Sequence, residues 1–162
     1  MELDEVDYKI LKILESDSNT NLTEIGKRVG IFSASAISRR IKNMKKDGII
    51  ERYTIDLNPE KLGINFITIT FVRAKYSDDY MRSVANQIKE IDGVISVYFL
   101  LGDIDFVLLT RSKSKEDYEN ILSKLTKIVE IERTDSRTVL KVFKEHDYSS
   151  VLELLRSKPL HS

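Results

Sequence analysis

Two apolar stripes with the same spacing constrain the fold of this chain more than any other feature of its sequence. Each stripe follows offsets of 0, 3, 4, 7 and 10, and the second begins 37 residues after the first. The stripes are Met81, Val84, Ala85, Ile88 and Ile91, then Tyr118, Ile121, Leu122, Leu125 and Ile128. This is the period of an α-helix with one buried face. The sequence therefore predicts two equivalent amphipathic helices that pack on a shared apolar surface.

The segments around the two helices are rich in Ile, Val, Phe and Thr, and they predict that surface. Four strands are expected, at residues 64–74, 94–100, 106–110 and 137–143. Two strand–helix–strand units in succession are typical of the ferredoxin-like βαββαβ arrangement, an antiparallel sheet with both helices on one face. The other face carries Phe71, Tyr98 or Phe99, depending on the strand register, and needs a cover. A second copy of the same sheet is the simplest cover.

A basic stretch without acidic residues lies in the N-terminal third of the chain. Between Glu24 and Asp47 the basic residues are Lys27, Arg28, Arg39, Arg40, Lys42, Lys45 and Lys46. The whole chain has 26 basic and 26 acidic residues, so this local excess stands out against a net charge of zero. Such an excess predicts a surface for a polyanion. The alternative is a solvated helix face that is basic without a binding role.

The pattern around this charge predicts two short helices joined by a turn. Asn21 with Glu24 is typical of a capping box that opens the first helix, and Gly30 ends it. Ser33 is a candidate N-cap for a second helix, which runs to Asp47 and ends at Gly48. Two short helices joined by a turn with glycine indicate a helix-turn-helix.

A helical wheel separates the second helix into an apolar side and a polar side. Ile37, Ile41 and Met44 fall on the apolar side. The candidate DNA-binding residues are Ser33, Ser35, Ser38, Arg39, Arg40, Lys42 and Lys46. The fork of Arg39 matches the O6/N7 edge of guanine, whereas lysines further along suit phosphates. Taken one at a time, each of these residues is also an ordinary exposed polar position.

The complete chain is expected to be an α+β protein of two domains with a connecting segment. Asp4 is a candidate N-cap of a first helix, so residues 1–50 form a three-helix, helix-turn-helix domain. Residues 51–63 form a strand linker, since the alternating segment 49–55 predicts a short strand that serves as a wing or a tether. Residues 64–145 form the βαββαβ domain. Residues 146–162 are a C-terminal extension, with a short amphipathic helix and a frayed end after Pro159.

The composition excludes several classes of protein. The chain has no Cys, which excludes disulfides, thiolate metal sites and thiol catalysis. No apolar run approaches the ~18 residues that a membrane span requires, and the acidic start is unlike a secretory signal. We therefore expect a cytoplasmic protein without a membrane partner. Abundant Ile, Lys and Glu, with no Cys or Trp, are typical of thermophiles.

The order of several short motifs resembles the Lrp/AsnC (feast/famine) family of transcription regulators. The resemblance covers residues 2–145. The matching segments are Leu3-Asp4-Glu5-Val6-Asp7, Lys9-Ile10-Leu11, Val29-Gly30, Ser38-Arg39-Arg40-Ile41, Asp47-Gly48-Ile49-Ile50, Asn58-Pro59, Leu62-Gly63, Gly102-Asp103-Ile104-Asp105-Phe106 and Arg133-Thr134-Asp135-Ser136. One departure lies before the recognition helix, where family members carry a shorter turn and often a Pro. The register of Ser35, Ser38 and Arg39 on DNA therefore depends on the geometry of this turn.

The resemblance implies a partner, an assembly and an effector. Family members dimerise through their βαββαβ domains, often form octamers or other assemblies of dimers, and bind pseudo-palindromic double-stranded DNA. Many bind an amino acid between subunits of neighbouring dimers. The effector-binding residues implied here are Gly102, Asp103, Asp105, Thr134 and Ser136. The alternative for Gly102 and Asp103 is a hairpin turn in which the carboxylate holds backbone amides.

The sequence leaves two alternatives to a DNA-binding regulator. Proteins resembling this family include sirohaem decarboxylases, which use histidines near a substrate pocket in the same fold. This chain has only His146 and His161, and it has no Ser/His/Asp set, metal-ligand cluster or phosphate-binding glycine loop. We expect no catalytic residue, cofactor or metal. The second alternative is a sensor or assembly module without DNA binding, against which the basic recognition face argues.

Overall fold

A computed structural model of the chain describes residues 2–145 and 147–156. Its elements, in chain order, are α1 (Glu5–Ser16), α2 (Leu22–Val29), α3 (Ala34–Lys46), α4 (Pro59–Leu62), β1 (Phe66–Ala74), α5 (Tyr80–Lys89), β2 (Val94–Phe99), β3 (Phe106–Ser112), α6 (Lys115–Leu125), β4 (Ile131–Thr138) and α7 (Ser149–Arg156). Among the described helices, none combines the length and the apolar character that crossing a membrane requires.

The chain divides into two compact units, which we call the head unit and the sheet unit. The sheet unit is Leu57–Phe143. The head unit contains the segment up to Asp56 and also the segment from Lys144 onward. This division differs from the predicted one, because the C-terminal extension belongs with the N-terminal helices rather than standing alone.

The head unit is built on the buried sides of its first three helices. The residues buried in its core are Ile10, Leu14, Ile25, Ile37, Ile41 and Met44. The three from α3 are those that the helical wheel assigned to the apolar side. Burying a side chain of this size stabilises the fold by about 1.5–3 kcal/mol. The core therefore fixes the rotation of α3 about its axis and leaves its polar side outward.

The turn between α2 and α3 is closed by glycines. Gly30 has φ 78°, a left-handed conformation, and its amide donates back to the last turn of α2. The amide of Ile31 donates to the carbonyl of Gly26 at 2.8 Å. A Cβ atom on Gly26 would lie 2.3 Å from the carbonyl oxygen of Ile31, so only glycine fits this approach. This turn replaces the shorter one expected from the family.

Side-chain oxygens cap the first two helices, but in different ways. Asp4 and Asp7 form a complete capping box on α1. Asn21 accepts a hydrogen bond from the amide of Glu24 at 2.9 Å, as predicted. The side chain of Glu24 does not complete the box, because it accepts a hydrogen bond from Arg28 at 2.9 Å. The predicted capping box of α2 is therefore only half formed.

The guanidinium of Arg40 joins α3 to the start of α1. Its Nη1 atom donates to Oδ2 of Asp4 and to Oδ1 of Asp7, each at 2.8 Å. The side chain of Asp7 is only 5% exposed, and that of Arg40 is 31% exposed. A buried carboxylate is costly unless a partner neutralises it. Arg40 is that partner, which makes it a structural residue of the head unit.

The strand predicted at residues 49–55 is absent. This segment forms no β-ladder, and Tyr53 and Ile55 are exposed. Alternation alone does not form a strand, because the backbone groups need a neighbouring strand to pair with. Asn58 caps the short helix α4, because its side chain accepts a hydrogen bond from the amide of Lys61 at 3.0 Å.

The sheet unit has the predicted βαββαβ order and an antiparallel sheet with strand order β2-β3-β1-β4. Helices α5 and α6 share one core with the strands. Its buried residues are Val72, Ala74, Val84, Ile88, Ile91, Phe106, Leu108, Tyr118, Ile121, Leu125 and Ile128. Most members of the two repeated stripes belong to this list. Both helices therefore pack on one face of the sheet, as the repeat predicts.

Within the sheet unit, residues 57–143, no helix packs on the opposite face of the sheet. The register pairs Ile69 with Leu109 and Phe71 with Val107, which places these four side chains together on that face. Tyr98, opposite Val107, lies there too. Phe99 lies on the helix face, because it pairs with Phe106 and packs edge-on against its ring at 5.3 Å. The open face therefore has an apolar centre, and β4 adds charged residues beside it, with Asp135 opposite Phe71 and Arg137 opposite Ile69.

The fourth strand lies earlier in the chain than predicted. It is β4, Ile131–Thr138, rather than residues 137–143. Of the apolar residues that suggested the later strand, Leu140, Val142 and Phe143 are exposed, and Leu140 fully so. An edge strand that faces solvent can be polar, and the sequence of β4 has only one aliphatic residue. The apolar segment 139–143 instead leads back to the head unit.

Replacing Arg40 with Ala should lower the free energy of unfolding of the head unit by on the order of 1–3 kcal/mol, because Asp7 would remain buried without its partner. Arg39→Ala removes the neighbouring guanidinium from the exposed side and should change stability by about 0.5 kcal/mol or less. Urea unfolding followed by circular dichroism would measure both variants. Equal destabilisation by the two would contradict the role assigned to Arg40.

The stability that the contact between Asp4 and Arg40 contributes should depend on pH. The amide of Asp7 and then the guanidinium of Arg40 hold the pKa of Asp4 below its ordinary value. A carboxyl with a lowered pKa in the folded state contributes stability that is complete above its ordinary pKa and is lost as the pH falls. The difference in the free energy of unfolding between the unaltered protein and Asp4→Asn should therefore shrink below about pH 4. A difference that stays constant down to pH 2.5 would contradict this ionic contribution.

Candidate DNA interface and effector loop

The polar side of α3 is an open surface with serines at its start. Ser33 is the N-cap, and its Oγ accepts a hydrogen bond from the amide of Ala36 at 3.3 Å. The hydroxyls of Ser33 and Ser35 lie 2.9 Å apart. Ser33 is therefore occupied at least partly by capping, whereas Ser35, two residues further on, is exposed. Ser38 is half-buried beside the helix core.

Three basic side chains of α3 are exposed along this surface. They are Arg39, Lys42 and Lys46. Across residues 2–145 and 147–156, none of the three makes an ion pair or a hydrogen bond. A solvated cation without a carboxylate partner is available to a phosphate or to a base edge. These residues retain the arrangement that the helical wheel predicts.

Arg40 does not belong to this surface. Its guanidinium is held by Asp4 and Asp7 on the other side of the helix. The hydrogen bonds with both carboxylates raise the pKa of Arg40 above its ordinary value, so it stays a cation at every working pH. The structure gives Arg40 a role inside the head unit, and its predicted contact with DNA stays a prediction.

A cavity of about 260 Å³ flanks the basic side of α3 and includes residues that sequence reasoning missed. It is lined by Leu14, Ser18, Thr20, Leu22, Ile25, Ser38, Ile41, Lys42, Lys45 and Tyr53. The ammonium of Lys45 lies 4.3 Å from the centre of the Tyr53 ring. Such a cation–π contact holds the start of the connecting segment against α3. Spacing along the chain gives no signal for this contact, because the aromatic partner lies outside the helix.

The loop between β2 and β3 presents two of the predicted effector-binding residues. Gly102 and Asp103 are both exposed. Gly102 has φ 151°, and a Cβ atom there would meet nothing within 4 Å. Its conformation favours glycine although the space around it is open. The loop therefore offers free backbone and one exposed carboxylate to a ligand.

Asp105, at the end of the same loop, has a structural role in the single chain. Its Oδ2 accepts a hydrogen bond from the amide of Ala74 at 2.7 Å, and its Oδ1 accepts one from the hydroxyl of Tyr80 at 3.2 Å. Burial and then this hydrogen bond raise the pKa of Tyr80, so the phenol remains a donor at neutral pH. Asp105 therefore fastens the loop to β1 and α5.

Thr134 and Ser136 lie within β4 rather than before the fourth strand. They pair with Val72 and Thr70, which places both on the helix face of the sheet. The hydroxyl of Ser136 contacts those of Thr70, at 3.2 Å, and Tyr118. Ser136 is thus part of a network inside the sheet unit. The structure of one chain does not bring the hydroxyls of β4 together with Gly102 and Asp103.

No metal site is formed by the part of the chain that the structure describes: it has no group of three or more His, Asp or Glu side chains that could hold an ion. His146 and His161 lie outside the described residues, as does Pro159.

Comparisons with known proteins match both units. Residues 3–51 match the winged helix-turn-helix DNA-binding family, and residues 66–149 match the Lrp/AsnC ligand binding domain. The HTH-type transcriptional regulator FL11 of Pyrococcus furiosus is 38% identical over 146 residues, which cover 88% of this chain and 93% of that regulator.

Solved structures agree over nearly the whole chain. The transcriptional regulator NMB0573 of Neisseria meningitidis, in complex with L-Met, is 26% identical with a TM-score of 0.83, covering 89% of this chain and 94% of that one. AsnC of E. coli is 25% identical with a TM-score of 0.84, covering 92% and 99%. With two family models in order and a relative matched over most of its length, the chain belongs to the Lrp/AsnC family of DNA-binding transcription regulators.

Proposed function

We propose that the chain works in the cytoplasm as a homodimer, or an assembly of dimers, that binds a pseudo-palindromic operator through α3 and responds to an amino acid. The observation that carries the proposal is the exposed polar side of α3, where cations without carboxylate partners stand opposite a buried aliphatic side. A helix of this kind fits the major groove of duplex DNA.

Each side chain on this surface suits a particular contact. Arg39 presents a fork that can donate two hydrogen bonds to guanine, and Ser35 lies near enough to the helix start to meet a neighbouring base. Lys42 and Lys46 suit phosphates, as point charges on flexible stems. Two such helices in a dimer would enter successive major grooves about 34–36 Å apart.

The open face of the sheet supports dimerisation. This face carries Ile69, Phe71, Val107 and Leu109. Within the sheet unit, all of which the structure describes, no element covers it. A second copy of the same face would bury these side chains with a self-complementary contact. This arrangement joins the chains through their sheet units and leaves α3 of each chain free for DNA.

The effector proposal centres on the loop that ends at Asp105. The NMB0573 structure contains L-Met, which supports an amino acid as the class of ligand. In this chain Asp103 offers an exposed carboxylate that can hold an α-ammonium, and the backbone at Gly102 can approach a ligand closely. Asp105 holds this loop in position. Thr134 and Ser136 would need a neighbouring subunit to complete the pocket.

The experiment that tests the function is binding of the purified protein to DNA upstream of its own gene, at two salt concentrations, with and without a pool of the twenty amino acids. Specific and salt-sensitive binding that the pool alters would support both parts of the proposal. Specific binding that the pool does not alter would support a DNA-binding regulator and contradict an amino-acid effector. Absence of binding at low salt would contradict operator recognition and favour a module without DNA binding.

Arg39→Ala should weaken operator binding by on the order of 1–3 kcal/mol and relax the preference at one base position. Lys46→Ala should instead weaken all sequences about equally and reduce the slope of log affinity against log salt by about 1. Fluorescence titrations with the operator and single-base variants of it would separate the two effects. Unchanged base preference in Arg39→Ala would show that the register proposed for α3 on DNA is wrong.

Asp103→Ala and Asp105→Ala should distinguish a residue that binds the effector from a residue that stabilises the fold. Asp105→Ala should lower the free energy of unfolding by on the order of 1–3 kcal/mol, because the amide of Ala74 loses its acceptor. Asp103→Ala should leave stability within about 0.5 kcal/mol while removing the response of DNA binding to the amino-acid pool. A full response in Asp103→Ala would exclude this carboxylate as an effector ligand.

A further inference from the structure

Phe32 is an exposed aromatic residue in the turn immediately before α3. Its side chain is 89% exposed, the largest exposed fraction of any large hydrophobic side chain in the described part of the head unit. Its neighbour in the chain, Ile31, packs against the core of the head unit and is partly buried. Two adjacent apolar residues therefore have opposite environments, and only one of them contributes to the core.

A buried position for Phe32 is conceivable in this turn, but the structure does not use it. Ser33 is the N-cap of α3, so Phe32 occupies the position before the cap. A hydrophobic residue at that position often packs on the fourth residue of the helix, which here is Ile37. Ile37 is fully buried, yet the phenyl ring of Phe32 remains in solvent, so this packing does not cover it. The head unit thus lacks the stability that burial of this ring would give.

The turn fixes the backbone on both sides of Phe32. On the side of α2, the amide of Ile31 donates to the carbonyl of Gly26, an approach that only glycine permits. On the side of α3, the hydroxyl of Ser33 accepts a hydrogen bond from the amide of Ala36. Both neighbours of Phe32 are therefore held within the head unit, and its ring is presented at the N-terminal end of α3.

This end of α3 belongs to the proposed DNA-binding surface. Phe32 precedes Ser35 by three residues and Arg39 by seven, and both of these are proposed to meet bases. The segment between Glu24 and Asp47 has no acidic residue that would repel a nucleic acid. In helix-turn-helix proteins the N-terminal residues of the recognition helix contact base edges. An apolar ring at this end would therefore lie near bases rather than near phosphates.

One group in the major groove suits an apolar ring, and it is the C5-methyl group of thymine. The other groups that base pairs present there are hydrogen-bond donors and acceptors, which a phenyl ring cannot satisfy. We infer that Phe32 is a specificity-determining residue, and that it contacts the methyl group of one thymine in each operator half-site. This inference rests on the proposed function, in which α3 enters the major groove.

Deoxyuridine is the probe for this contact, because it pairs like thymidine and lacks only the methyl group. An operator selected from random DNA by the purified protein would be synthesised with one thymine of a half-site at a time replaced by uracil. Fluorescence titrations would then measure the affinity for each version. The unaltered protein should lose about fourfold in affinity at one thymine position, as expected for the loss of one buried methyl group.

Phe32→Ala should bind the unmodified operator about fourfold or more weakly, and it should bind the thymine and uracil versions equally. Because the ring is exposed, the urea midpoint of this variant should equal that of the unaltered protein. Phe32→Leu keeps an apolar side chain and should retain part of the discrimination between thymine and uracil.

Phe143→Ala is the matched control, because this phenylalanine is also 89% exposed but belongs to the sheet unit. It should keep the full discrimination between thymine and uracil. Arg39→Ala is a second control, since it should lose preference at its own base position and keep the sensitivity to uracil.

The outcomes distinguish this contact from the function on which it rests. If the unaltered protein selects no specific operator, the proposed function itself is wrong. If it selects an operator at which no uracil substitution lowers affinity, or if Phe32→Ala discriminates as well as the unaltered protein, the contact is wrong while operator recognition stands. Discrimination that disappears in Phe32→Ala and persists in Phe143→Ala would establish Phe32 as the residue that reads the thymine methyl group.

Discussion

The burial of one side of α3 is the constraint on which the head unit depends. Ile37, Ile41 and Met44 can enter the core in only one rotation of the helix, and that rotation sends Arg39 and Lys46 outward. The Arg40 contact with Asp7 locks the same rotation from the side. In the proposed function, affinity for DNA would come from a helix whose rotation is decided by hydrophobic burial. Ion pairing within the head unit then decides which of its cations are left for DNA.

The helices of the head unit and the topology of the sheet unit could be predicted from the sequence because their signals are local. The caps at Asp4, Asn21 and Ser33 and the stripe on α3 each depend on residues within one or two helical turns. The repeated stripes likewise determined the topology of the sheet unit, since two equivalent helices leave few ways to arrange four strands. Periodicity is reliable where one face is buried and the other is wet.

The features that the sequence did not predict are those whose deciding partner is distant in the chain. Arg40 has the composition of a DNA contact, yet its partners lie 36 and 33 residues away. The polar strand β4 was missed because its pairing with β1 depends on backbone groups. The apolar segment after it suggested a strand that the structure does not form. Asp105 is a similar case, since its hydrogen bonds to Ala74 and Tyr80 cannot be inferred from loop composition.

The placement of α7 has a consequence for how the protein is made. A chain emerging from the ribosome folds from its N-terminus, so α1, α2 and α3 can assemble around their own core before the strands exist. The outer side of α1, however, waits for a helix that is synthesised after the entire sheet unit. The recognition helix could thus form early, whereas the contact of α7 with α1 would be completed only after synthesis had passed the last strand.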